Sequence, residues 1–496
     1  MNQFLINFKG FYMNISAINS RKVFASFSVI IAATLLSCTP QKEKEVQKPN
    51  VIFILVDDLG YGDIGAYNAD SKIPTPNIDQ LANQGVRFTN AHTPASVCVP
   101  SRYSLLTGQY HFRNKRDYKE GRIAPGRTTI ATLMKGAGYQ TAMFGKWHQG
   151  IPNEKSPVEG EDLQNGPVDH GFNYFYGIPA SLDIQPYYFI ENRRPVAYPT
   201  DTIIGSPGTG LRNIEGAFYR GGDIAPGYSH EKVSDQLTQK GVEYITNKAK
   251  EEKPFFMYLA LPAPHTPWLP SKEFQGKSKA GMYGDYTMQV DAMIGKITEA
   301  LKNANIDENT IVFFSSDNGP VWWEDAVEKY NHKAVGELAG MKGDSWEGGH
   351  RMPFIVKWPG VVQPKSVNVK LISFTDLLAT LAELSQITLA GNDGEDSRSF
   401  MPLLKDNNHP ATRKVFVHQG AKRLFSIQRG DWKYIDGKGA GGFTNWYDPS
   451  VTEIDKYPGQ LYNLSEDLGE RNNLYDLEKD KREELSKELE ALTSQL

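Results

Sequence analysis

The sequence predicts an α/β fold: a large mixed, mostly parallel sheet sandwiched by helices, with a smaller C-terminal antiparallel α+β domain. Three observations predict it. Short continuous apolar runs end abruptly in polar residues, as strands buried on both faces of a parallel sheet do. Segments with apolar residues at i, i+3 and i+4 lie between those runs, so strands and helices alternate along the chain. After about residue 385 the texture changes to turn-rich sequence and period-two alternation.

The first run, Val51-Ile52-Phe53-Ile54-Leu55-Val56, meets Asp57-Asp58. The second, Thr141-Ala142-Met143-Phe144, leads into Gly145-Lys146-Trp147-His148. The third, residues 255–261, precedes Pro262-Ala263-Pro264-His265, and the fourth, 311–314, runs into Ser315-Ser316-Asp317-Asn318-Gly319. Helical spacing marks residues 77–84, 129–136, 231–248, 286–303 and 375–384. Beyond them, 391–397 is polar and turn-rich, 415–418 and 424–427 alternate, and 431–435 is their hairpin partner. The Glu/Lys-rich stretch 477–496 is an amphipathic helix whose charges form a solvated face. No internal repeat is present. These textures divide the chain into a leader (1–37), a tether (38–48), a large domain (49–385) and a C-terminal domain (386–496). Ligands of open α/β sheets sit beyond the carboxyl ends of the strands, which makes the polar residues after each run the first candidates for chemistry.

Composition narrows the function classes. The chain has 496 residues, 40% hydrophobic and 23% charged, which fits a globular protein and excludes a polytopic membrane protein or a disordered chain. A net charge of −4 gives no footprint for nucleic acid. Two cysteines, at 38 and 98, cannot make a disulfide framework or a multi-cysteine zinc site.

Cys38 follows Arg21-Lys22, an uncharged apolar stretch over 23–36, and Ser37, and it precedes the polar residues 39–45. That is a charged n-region, a short h-region and a small residue before a cleavage point; the stretch is shorter than the ~20 apolar residues of a membrane span. A cysteine directly after the cut resembles a bacterial lipobox. The resemblance implies lipidation of Cys38 and anchorage to the bacterial cell envelope, facing the periplasm or on the outer-membrane surface. An ordinary secretory signal that contains Cys38 by chance is the alternative. Met13 is a second possible start.

Cys98-Val99-Pro100-Ser101-Arg102 opens a helical stretch that Gly108 ends. The thiol therefore sits at a helix N-terminus, where backbone N–H groups favour an anion. A buried structural thiol is one reading and a thiolate nucleophile another; the phosphatase loop Cys-x5-Arg fails, because residue 104 is Ser. A third reading accounts for the whole string: Cys98-x-Pro-Ser-Arg102 followed by Leu-Thr-Gly resembles the signature of type I sulfatases, members of the alkaline-phosphatase-like superfamily. The resemblance extends to Asp57-Asp58-Leu59-Gly60, Gly145-Lys146-Trp147-His148, Pro264-His265-Thr266-Pro267, Ser316-Asp317-Asn318-Gly319 and Lys342 before Glu347-Gly348-Gly349. The C-terminal stretch from Leu461-Tyr462-Asn463-Leu464 to Leu474 is similar too.

That resemblance implies oxidation of Cys98 to formylglycine by a formylglycine-generating maturation enzyme, with the aldehyde hydrate as nucleophile. It implies a metal held by Asp57, Asp58, Asp317 and Asn318 together with residue 98. Hard oxygen donors suit Ca2+, or less well Mg2+, rather than zinc; capping or turn chemistry is the plain alternative for Asp57-Asp58 taken alone. It implies that Lys146 and Lys342 grip sulfate, Arg102 orients residue 98, Asp317 acts as base, His265 protonates the leaving sugar oxygen and His148 takes the last proton. His111, Arg220, Trp268, Trp322, Trp323, Trp346 and His350 are candidates for contacts with a sulfated carbohydrate. His92, His170, His332 and His409 are structural or surface histidines. The variable loops, about 150–230 and 320–340, are expected to set the sugar, with algal polymers such as ulvan or carrageenan among the candidates. A formylglycine-dependent phosphonate or phosphate monoester hydrolase, and an inactive sulfatase-like glycan-binding lipoprotein, are the rival readings.

Overall fold

The computed structural model describes residues 48–447 and 456–494. The leader, Cys38 and nearly all of the tether lie outside the described residues. The main sheet is built on seven long strands: β1 (Asn50–Asp57), β2 (Val86–His92), β3 (Gln140–Lys146), β4 (Tyr174–Ile178), β5 (Phe255–Pro264), β6 (Thr310–Ser316) and β7 (Arg351–Lys357). Across the sheet their order is β2-β7-β6-β1-β5-β3-β4, and short strands extend both edges to give 11 among the described residues. From β6 to β4 every neighbour is parallel; β7 is antiparallel to both β6 and β2. This is the mixed, mostly parallel sheet expected.

The continuous apolar runs are strands because both of their faces are covered. Every residue of β1 is buried, and its alternate side chains go to opposite layers. Val51, Phe53 and Leu55 join the core that includes the helices Ile130–Gly136 and Asp376–Leu384. Ile52, Ile54 and Val56 join the core under the helices Pro76–Asn83, Val233–Lys248 and Gly281–Asn303. Those five helices coincide with the five periodic segments to within a few residues.

The second sheet is antiparallel, in the order β8 (Val415–Gln419), β9 (Phe425–Arg429), β10 (Trp432–Ile435) and β11 (Gln460–Asn463). Helix Lys479–Thr493 packs Leu485 and Leu489 onto Val417, Ile427, Tyr434 and Leu461. The two sheets are joined by a buried ionic cluster. Lys433 on β10 reaches Glu347 at 2.9 Å, Glu470 at 2.8 Å and Nε2 of His350 at 3.1 Å, and Arg351 donates to Glu347 at 2.5 Å.

The parallel direction of β6, β1, β5 and β3 brings their carboxyl ends to one edge of the sheet. Each of the polar motifs that follow the four apolar runs therefore arrives in the same place.

Candidate active site

Asp57 closes β1, Lys146 closes β3, His265 follows β5 and Asp317 follows β6. The register slips between Leu55 and Asp57 against β5, and Asp58 then takes a left-handed backbone, φ 63°. His148 is left-handed as well, φ 53°, with its N–H donated to the Pro179 carbonyl at 2.9 Å. Such a backbone costs about 1–3 kcal/mol in a non-glycine residue and persists only where its surroundings fix it. Gly145, just upstream, has φ 121°, and a Cβ there would lie 1.9 Å from the carbonyl oxygen of Ala260 on β5. Only glycine lets β3 and β5 close at this point.

Three cations meet three carboxylates. Lys146 Nζ donates to Asp57 Oδ2 at 2.6 Å, and Lys342 Nζ donates to both Asp58 oxygens at 2.6 and 2.8 Å. Arg102 Nε donates to Asp317 Oδ2 at 2.9 Å, with Nη2 2.7 Å from the same oxygen and 3.5 Å from Asp57. Asn318 Nδ2 donates to Asp58 Oδ1 at 2.6 Å, and Nε2 of His265 lies 3.6 Å from Asp58 Oδ2. Asp57, Arg102, Lys146, Asp317 and Asn318 are all fully buried.

Cys98 starts helix Cys98–Thr107, which ends at left-handed Gly108, φ 66°. Ser101 ties this helix to the end of β6 through the Asp317 carbonyl at 2.5 Å, and Gln149 donates to the Val99 carbonyl at 2.9 Å. Burial pushes the Cys98 thiol up, although Lys146 and Lys342 pull it down. An unmodified thiol here is protonated at neutral pH and is a poor nucleophile.

The same field sorts the other groups. Burial would raise Asp57, but Lys146, His265, Arg102 and Lys342 hold its carboxyl well below the usual range. Burial and the neighbouring Asp57 carboxylate push Asp317 up to about 6 against Arg102 and Lys146. His148 is held well below its ordinary value by burial, Lys146 and Arg102, and its Nδ1 has no hydrogen-bond partner among the described residues. It is therefore a neutral imidazole. Lys342 is held above its ordinary value: burial opposes its charge, but Asp58, Cys98, Asp57 and Asp317 outweigh burial.

The sequence motifs named these residues but missed their neighbours. Ser181 accepts from Lys146 at 3.2 Å and lies 3.3 Å from Nδ1 of His265. Asp183 Oδ1 is 4.0 Å from that nitrogen. Both residues come from a segment without periodicity or motif, so no local signal points to them. Arg220 stands beside Asp183. The remaining carbohydrate candidates are placed elsewhere in the protein's own packing. His111 is buried against Gln419 at 2.9 Å, and His350 contacts His92, His418 and Lys433. Trp268 and Trp322 flank Tyr283, at 5.4 and 5.1 Å, whose hydroxyl donates to the Asp58 carbonyl. Trp323 is buried under the Arg212 guanidinium, and Trp346 donates to Gln460 at 2.9 Å.

A family model described as Sulfatase matches residues 49–387. The chain belongs to the sulfatase family. This sulfatase is 35% identical over 510 aligned residues to the N-acetylgalactosamine-6-O-sulfatase of Bacteroides thetaiotaomicron, covering 93% of this chain and 97% of that protein. A solved structure from work on the metabolism of multiple glycosaminoglycans by Bacteroides thetaiotaomicron superposes with a TM-score of 0.78 at 31% identity. It covers 90% of this chain and 100% of its own. Ps i-CgsB in complex with k-i-k-neocarrahexaose superposes with a TM-score of 0.70 at 25% identity, covering 90% and 93% of the two chains.

As a sulfuric ester hydrolase of this family, the sulfatase is implied to carry formylglycine and a metal site. Its residues fit a hard divalent cation. Asp57, Asp58 and His265 bring ligand atoms within 4.8 Å of one another. Asp57 Oδ1 and Asn318 Oδ1 are buried oxygens without a hydrogen-bond partner among the described residues. An orphaned buried carboxylate or amide oxygen is costly, and a cation would satisfy both. A cation would also keep Asp317 ionised.

Proposed function

We propose that this sulfatase hydrolyses sulfate monoesters on a carbohydrate, using Cys98 matured to formylglycine and a Ca2+ ion held by Asp57, Asp58, Asp317 and Asn318. The observation that carries the reading is the buried arrangement of three cations and three carboxylates around residue 98, at the carboxyl ends of four adjacent strands. The similar N-acetylgalactosamine-6-O-sulfatase and the similar Ps i-CgsB structure in complex with k-i-k-neocarrahexaose support the substrate class.

Formylglycine would supply, as its hydrate, the nucleophilic oxygen that a protonated thiol lacks, and bound Ca2+ would add positive charge to the site. The rest is done by the chain's own residues. Lys146 and Lys342 bind sulfate oxygens and stabilise charge as the S–O bond breaks. Arg102 fixes Asp317 and residue 98. Asp317 accepts a proton as attack begins. His265 donates from Nε2 to the departing sugar oxygen, and neutral His148 takes the proton released when sulfate leaves. Cys38, outside the described residues, anchors the enzyme to the cell envelope by lipid; Cys38→Ser is expected to move it from the membrane fraction to the soluble fraction.

The test is sulfate release from a panel of defined sulfated oligosaccharides, using protein co-expressed with a formylglycine-generating enzyme and assayed beside aryl phosphate and phosphonate esters. Release from at least one saccharide, with a large preference for sulfate over phosphate, is expected. A preference for phosphate or phosphonate, or no release from any saccharide, would overturn the reading.

A further inference from the structure

Asp183 stands beside His265 and pairs with Arg220, and neither has a part in the chemistry above. Asp183 is only 6% exposed. One carboxylate oxygen faces Nδ1 of His265 at 4.0 Å and has no hydrogen-bond partner among the described residues, and the other lies 3.6 Å from Nη2 of Arg220. Arg220 combines a fixed backbone with a free-standing side chain. Its N–H donates to the Asp183 carbonyl at 3.1 Å and its carbonyl accepts from the Tyr187 hydroxyl at 2.7 Å. Tyr187 and Tyr219 both pack on His230, at 4.5 and 4.6 Å, which braces the loop from below. The Arg220 side chain is nevertheless 64% exposed. A guanidinium held at its base, aimed by one carboxylate and wet at its tip is preorganised for a ligand.

We propose that Arg220, clamped by Asp183, selects the sugar: its guanidinium donates to a neutral oxygen acceptor, a ring hydroxyl or acetamido carbonyl, on the sugar whose ester oxygen His265 protonates. The inference rests on the carbohydrate reading above and deepens it. Two features restrict the ligand. Arginine only donates, so the sugar must present a lone pair. The Asp183–Arg220 pair carries no net charge, so it distinguishes neutral oxygens instead of forming a second anion site, and a second sulfate there would face the Asp183 carboxylate. Asp183 is a positioning residue that holds the guanidinium with one oxygen and faces the imidazole with the other. The planar fork of Arg220 fixes the direction of donation, which a lysine ammonium does not.

The test uses matured enzyme and three sugars, N-acetylgalactosamine 6-sulfate, N-acetylglucosamine 6-sulfate and galactose 6-sulfate, with 4-nitrophenyl sulfate as reporter. For the sugar that the wild type prefers, Arg220→Ala is expected to raise KM at least tenfold. It should raise the Ki of the desulfated sugar against 4-nitrophenyl sulfate by a similar factor and change kcat for the sugar less than threefold. Asp183→Asn should raise the same KM and Ki, and Arg220→Lys should not restore them. A fall in kcat with both Ki values unchanged would mean that the pair acts only through His265, and would overturn the proposal. A wild type that hydrolyses 4-nitrophenyl sulfate but none of the three sugars would overturn this inference, and the carbohydrate reading falls with it only if the oligosaccharide panel also yields no sulfate. Turnover of a sugar with Arg220→Ala unaffected would overturn this inference alone.

Discussion

At the residue scale, the chemistry depends on groups whose charge state is set by their neighbours. Cys98→Ala removes the nucleophile and is expected to abolish sulfate release while leaving the thermal unfolding curve close to wild type; near-normal turnover would contradict the assigned chemistry. His265→Ala should lower kcat on sugar sulfates by about 10²–10⁴-fold, and less on 4-nitrophenyl sulfate, whose leaving group needs little protonation. Glu154 offers a pH test away from the sulfate. Burial pushes its carboxyl up to about 7, against the Ile151 N–H that donates to it at 3.0 Å. The folded protein therefore holds a proton that the unfolded chain, with an ordinary glutamate, releases earlier. Between about pH 4.5 and 7 this lowers wild-type stability as pH rises. Glu154→Gln lacks that proton equilibrium, so its Tm relative to wild type should climb from pH 5 to pH 8; a flat or falling difference would contradict the burial argument. Asp57, Asp58, Lys146, His148, His265, Asp317 and Asn318 were legible in the sequence because each follows an apolar run. Ser181 and Asp183 were not, since only tertiary packing brings them to His265.

At the scale of elements, the runs that read clearly were those buried on both faces. β1, β3, β5 and β6 extend only a residue or a few beyond the apolar runs that announced them. β7 was not legible as a strand. It carries Pro353, and its register against β2 slips between Met352 and Phe354, the kind of irregularity where a sheet tolerates proline. β2 was missed because it is only partly buried, with Arg87, Thr89 and Asn90 breaking the pattern. The join between the sheets was equally silent, because Glu347, Lys433 and Glu470 meet only in three dimensions. Lys433→Met leaves buried Glu347 and Glu470 without their ammonium partner. It should cost about 3–5 kcal/mol, read as a lower midpoint in chemical denaturation; a loss below about 1 kcal/mol would mean that the cluster is not what holds the sheets together.

At the scale of the whole molecule, a sheet covered on both sides leaves its strand ends as the natural place for a site, and four parallel strands deliver four motifs there. Fold class and the site's membership follow from this parallel arrangement, which the alternation of runs and helical segments made readable. The identity of the sugar does not follow, since Asp183 and Arg220 sit in a long segment of short strands and turns. Chelation tests the metal at this scale. EGTA treatment should suppress turnover and lower Tm, and Ca2+ should restore both; an ion at a hundredfold its Kd contributes about 2.7 kcal/mol. The most direct measurement of the central claim is mass spectrometry of the peptide containing Cys98, from active protein matured in its native cells. A mass corresponding to formylglycine, in proportion to specific activity across preparations, is the result predicted. Full activity with residue 98 present only as an unmodified thiol would contradict the account.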